Sequence, residues 1–92
     1  MNYNFLDEKN TMVITTKKIM NKKSSILLVS HDEDDGMWEF LDGDDVSEED
    51  AMIVSLFEIV QIDVTVNQIA DLPIGWIAYR ENVYSKWTKQ KN

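Results

Sequence analysis

Residues 31–45 read HDEDDGMWEFLDGDD, and eight of these fifteen residues carry a carboxylate, with no Lys or Arg among them. Carboxylates at this density suit three kinds of chemistry: coordinating a hard cation, working in pairs as acid and base, or meeting a basic partner. A calcium loop of the EF-hand kind wants oxygen ligands at its first, third, fifth and twelfth positions, with Gly at the sixth. Counted from His31, those places fall on His31, Glu33, Asp35 and Asp42, with Gly36 at the sixth. The glycine fits, but an imidazole opens the loop and Asp42 is one carbon short for bidentate ligation. The flanks also read as strands where the motif needs helices. No metal ligand is assigned, and binding of a metal or small ligand by the acidic loops is kept as the alternative reading. Paired acid–base work needs two carboxyls held in a cleft with their pKa values pushed apart. Consecutive loop carboxylates give no sign of that.

Other reactive groups are scarce. There is no cysteine, which excludes thiolate chemistry, thiolate metal sites and disulfides. Three glycines form neither a P-loop nor a dinucleotide fingerprint, and no Ser stands in a G-x-S-x-G context. His31 is the only histidine, and with no nucleophile to serve it reads as the end of a strand. No catalytic residue and no cofactor are assigned, and a non-enzymatic protein is expected. Arg80, the only arginine, lies on an aromatic strand. It reads either as an interface anchor or as a bridge to the acidic loops.

The charge is unevenly placed. Eleven carboxylates and no basic residue lie between Asp32 and Asp50, whereas the remainder has nine basic residues against six acidic ones. The net charge of −8 therefore comes from one stretch. Such a face repels a nucleic-acid backbone and attracts a basic protein. The opening MNYNFLDEKN lacks the basic and apolar regions of a signal peptide, and no apolar run is long enough to span a membrane. A cytoplasmic protein is expected, with no membrane or nucleic-acid partner.

The elements that must position these groups follow from patterning. Residues 1–10 read as a flexible leader with Phe5 as its one anchor, 11–87 as a single domain, and 88–92 as a frayed tail. Met12–Thr16 (MVITT) is a short β-branched strand, and Lys17–Lys23 is a turn or one helical turn. Ser25–His31 is a central strand, HDEDDG a hairpin loop, and Met37–Leu41 the return strand with Trp38 and Phe40 on one face. Ser47 with Asp50 resembles a capping box, and Ile53, Leu56, Phe57 and Val60 recur at helical spacing. A helix is expected from about Glu48 to Gln61, and Asp63 caps a second, shorter one through Ala70. After Pro73, Gly75–Arg80 reads as a strand and Val83–Trp87 as a further one. The fold class is α+β: an antiparallel sheet of about four to five strands, with one long and one short helix on one face.

Two segments carry a family resemblance. Asp34–Asp45 (DDGMWEFLDGDD) and Pro73–Arg80 (PIGWIAYR) resemble the acidic Trp hairpin and the Pro–x–Gly–x–x–x–x–Arg segment of a small bacterial family of unknown function. That family includes immunity protein 33-like domains of toxin systems. Met37 interrupts the Gly–Trp pairing of the family pattern. The resemblance implies a small interaction protein, with no catalytic residues to carry over.

The expected function is therefore a protein-binding module, in its narrower form an immunity-type inhibitor of a basic partner such as a toxin. The binding surface expected from the sequence comprises Asp32, Glu33, Asp34, Asp35, Asp42, Asp44, Asp45, Trp76 and Arg80. Trp76 and Tyr79 together leave a homodimer open.

Overall fold

Short β-branched and aromatic runs, broken by glycines at positive φ, dominate this chain, and strands result. The computed structural model describes residues 2–92. In chain order these form β1 (Met12–Thr16), α1 (Lys17–Met20), β2 (Leu28–His31), β3 (Trp38–Leu41), β4 (Ala51–Ser55), α2 (Leu56–Ile62), a 3-10 helix (Val64–Ile69), β5 (Trp76–Tyr79) and β6 (Thr88–Lys91). The strands make one sheet in the order β4-β1-β3-β2-β5-β6. The protein is α+β, but its six-stranded mixed sheet and three short helices replace the four to five antiparallel strands and long helix expected. β1 and β3 run parallel, with Ile14 beside Glu39, and every other neighbouring pair is antiparallel.

The expected helix from Glu48 to Gln61 is the largest correction. Its first half is strand β4, which pairs with β1 over five residues, from Thr16↔Ala51 to Met12↔Ser55. Ile53, Leu56 and Phe57 fit a helical period. Ala51 and Ile53 are nevertheless exposed while Val54 is buried, as an alternating strand requires. The helix begins only at Leu56, and its cap is Ser55, not Ser47. The Ser55 hydroxyl accepts from the Glu58 N–H, and the Glu58 side chain accepts from the Ser55 N–H, completing the capping box. Ser47 instead makes a turn, its carbonyl accepting from the N–H groups of Asp50 and Ala51. Near the C-terminus, the segment 83–87 expected as a strand is a turn followed by irregular chain. The tail expected to fray supplies strand β6, paired with β5 from Tyr79↔Thr88 to Trp76↔Lys91.

All helices lie on one face of the sheet. Val13, Trp38, Phe40, Val29 and Ala78 point into that layer and meet Ile19, Leu56, Ile59, Val60, Val66, Ile69 and Leu72, all buried. The opening residues close the same layer. Phe5 meets Trp38 edge-on at 5.1 Å between ring centroids. The buried side chain of Asn67 donates to the Asn2 carbonyl and accepts from the Asn4 N–H.

Arg80 ties the layer together. Its side chain is 1 % exposed and pairs with Asp63 at 2.7 Å. Nε and one terminal nitrogen donate to the Ile26 carbonyl, the other terminal nitrogen donates to the Thr65 hydroxyl, and the guanidinium lies 4.2 Å from the centre of the Trp87 ring. Asp63 meanwhile ends α2 and caps the 3-10 helix by accepting from the Thr65 N–H. Arg80 is thus neither an interface anchor nor a bridge to the acidic loops.

Breaking a buried pair leaves an uncompensated charge, so Arg80→Met should cost about 3–5 kcal/mol in chemical denaturation. A loss below about 1 kcal/mol, the range of a surface ion pair, would contradict this role.

Candidate functional site

Because all the helices gather on one side, the other face of the sheet is bare. Cross-strand register sets one continuous row across it: Ile53, Ile14, Glu39, Ser30, Ile77 and Gln90. A second row brings Leu41, Leu28, Tyr79 and Thr88 together. Met12 and Ile53 are 67% and 61% exposed, which is unusual for large apolar side chains on a sheet. With strands about 4.8 Å apart, the five gaps between six strands make this face roughly 24 Å wide.

The acidic stretch does not form a single patch. β3 divides it, carrying the chain from one end of the sheet to the other. Asp32, Glu33, Asp34 and Asp35 form the β2–β3 hairpin loop at one end, while Asp42, Asp44 and Asp45 follow β3 at the opposite end. Each loop is built by its own aspartates. Asp32 accepts from the Asp34 N–H, Asp35 from the Met37 N–H, and Asp42 from the Asp44 N–H. Gly36 and Gly43 take the positive φ that these turns require. The carboxylates therefore bracket the bare face rather than line a cleft.

A polar hollow lined by Ser30, His31, Asp32, Glu33, Asp34, Glu39, Gly75 and Asn92 lies at the hairpin end. Asp45, Ser47, Glu49 and Asp50 border another with Lys17 and Lys18 at the far end. Among the described residues no group of three or more His, Asp or Glu is placed to hold a metal ion. His31 is occupied structurally, with Nδ1–H donating to the Leu72 carbonyl at 2.7 Å and the ring stacked 3.9 Å from Trp38.

Two residues of the expected binding surface lie elsewhere. Trp76 pairs with His31 on the helix side of the sheet and packs against the core, so it faces away from Tyr79. Alternation along β5 puts the two side chains on opposite faces of the sheet. Arg80 is buried, as described above. The binding surface expected from the sequence left out Glu39, which sits mid-face between Ile14 and Ser30. Its alternation with Trp38 and Phe40 was the available signal: a carboxylate opposite two core aromatics must stand on the other face.

Glu39 is the carboxylate whose ionisation the fold resists. Partial burial, then the charges of Asp32 and Asp35, raise its pKa above the usual glutamate range. Among the described residues ion pairs form between Arg80 and Asp63 and between Lys89 and Asp71, and Glu39 takes part in neither.

No family model matches the sequence, and no curated protein or solved structure matches it. The resemblance to the immunity protein 33-like group thus rests on the quoted residues alone.

A raised folded-state pKa means that Glu39 favours folding below the ordinary glutamate value, and that this contribution is lost as pH rises through the raised one. Glu39→Gln should therefore raise the melting temperature at neutral pH, with the difference vanishing in acid, where both side chains are neutral. A melting temperature lowered by Glu39→Gln at neutral pH would show that the ionised carboxylate stabilises the fold.

Proposed function

We propose that the protein is a non-enzymatic binding module whose bare sheet face receives a basic protein partner. One observation carries this reading: a continuous, largely apolar sheet face stands uncovered, with carboxylate loops at both of its ends. Core packing does not need seven loop aspartates and glutamates, and an exposed apolar face costs solubility unless it is used. An apolar centre with a charged rim is the usual anatomy of a protein-binding patch. The rim steers an oppositely charged partner and suppresses wrong ones, while the centre supplies the buried area.

The two free sheet edges are poor docking sites by comparison. β6 exposes Lys89 and Lys91, and Lys89 is also bound to Asp71 at 2.7 Å. β4 is closed at its ends, where the Ala51 N–H donates to the Ser47 carbonyl and the Ser55 N–H to Glu58. The face, rather than an edge, is left for a partner. An immunity-type inhibitor of a basic toxin is the narrower form of this reading, supported by the acidic hairpin and the Pro–Gly–strand–Arg segment.

A variant with Asp32, Asp34, Asp35, Asp44 and Asp45 changed to Asn tests the reading. In a pull-down from native lysate at low salt, the wild type should retain a basic protein that elutes in a salt gradient. The variant should lose it while its melting temperature stays within a few degrees. Equal retention by both proteins at every salt concentration would overturn the electrostatic docking.

A further inference from the structure

Within the row Ile53–Ile14–Glu39–Ser30–Ile77–Gln90 there is a single charge, and apolar or uncharged side chains flank it on both sides. We infer that Glu39 is the specificity anchor of this face, and that the contact element of the partner carries one Arg or Lys, set among apolar side chains, which seats on the Glu39 carboxylate. This rests on the docking reading given above and deepens it by naming the chemistry of the contact.

Three features of the face support the assignment. First, Glu39 lies at the middle of the sheet on β3, flanked by β1 and β2. A partner side chain that reaches it meets the apolar Ile14 on one side and the polar hollow of Ser30, Asp32, Glu33 and Asp34 on the other, a setting that favours a charge-assisted hydrogen bond from a cation. Second, the ionised carboxylate is held at a cost to the fold, with Asp32 and Asp35 adding repulsion. A group that weakens folding on an open surface gains its compensation from a ligand. Third, the charge selects the occupant. A second copy of this chain, itself at −8, would set Glu39 and both acidic loops against their own kind. Phosphate backbones and anionic lipid surfaces meet the same repulsion. A cationic group with an apolar collar is complementary to both the centre and the rim.

The test uses n-hexylguanidinium, a guanidinium on an apolar tail, with neutral n-hexylurea as its control. Binding is followed through backbone amide and isoleucine methyl NMR shifts. The wild type should show saturable shifts at Ile14, Ser30, Ile53 and Ile77, with hexylurea binding at least tenfold more weakly. Glu39→Gln should lose about tenfold in hexylguanidinium affinity, whereas the five-aspartate variant should lose only the salt-dependent part, about two- to threefold. Glu39→Gln keeps the size and shape of the side chain, so the fold is retained. Shifts on the face that persist unchanged in Glu39→Gln would overturn the anchor and leave the docking face standing. Shifts confined to the loop amides 32–35, or none, would overturn both. Concentration-dependent shifts of the same residues without any probe would identify a second copy as the occupant and overturn the cationic partner.

Discussion

A single buried guanidinium holds this fold to one side. Arg80 leaves the end of β5 and meets the Ile26 carbonyl ahead of β2, the Thr65 hydroxyl, the Asp63 carboxylate and the Trp87 ring. A buried cation is tolerated only when its donors are satisfied, and these contacts come from three separate stretches of chain. Asp63 is the matching constraint. It ends α2, caps the 3-10 helix and neutralises Arg80 at the same time. The helical layer is thereby drawn over Trp38, Phe40 and Val29. No helix is left to cover the reverse side of the sheet, whose Met12 and Ile53 stay in solvent.

That asymmetry gives the charge pattern its meaning. In the sequence, the carboxylates of Asp32–Asp50 look like one continuous acidic patch. In space, the four-residue strand β3 separates them into two loops at opposite ends of the sheet. The acids cannot act together on one ion, and they frame an apolar field with Glu39 inside it. The lysines at the end of β1 lie beside Asp45, Glu49 and Asp50, which softens the rim there. At the hairpin end, the pairing of Trp76 with both His31 and Lys91 brings Lys91 to the same end of the sheet as the Asp32–Asp35 loop.

The strands around the hairpin were legible because their signals are local. Trp38 and Phe40 alternate with Glu39 and Leu41, and Gly36 supplies the left-handed turn. Asp63 capping a second helix was likewise readable from its position. Residues 51–62 were not, because an apolar run that serves first as strand and then as helix satisfies both periods. The deciding mark was the S-x-x-E of Ser55–Glu58, a complete capping box inside the supposed helix, which the reading from Ser47 and Asp50 passed over. Parallel pairing of β1 with β3 could not be read either, because it depends on which hairpin strand lies inward. The site was half legible: the acids were visible, but a face exists only once the register is known. Glu39 is nine positions from Ser30 across the hairpin but twenty-five from Ile14, and Ile53 is thirty-nine from Ile14, so no local pattern joins the row. Arg80 was misread for a similar reason, since its partners lie far away in the chain.

The most direct test of the bare sheet face as the docking surface is site-specific photo-crosslinking in native cells. A photoreactive residue in place of Tyr79, on the bare face, is compared with one in place of Gln68, exposed on the 3-10 helix. A discrete crosslinked band carrying a basic protein from position 79, and none from position 68, is the result this account predicts. The same band from position 68 and none from position 79 would place the partner on the helical side and contradict it.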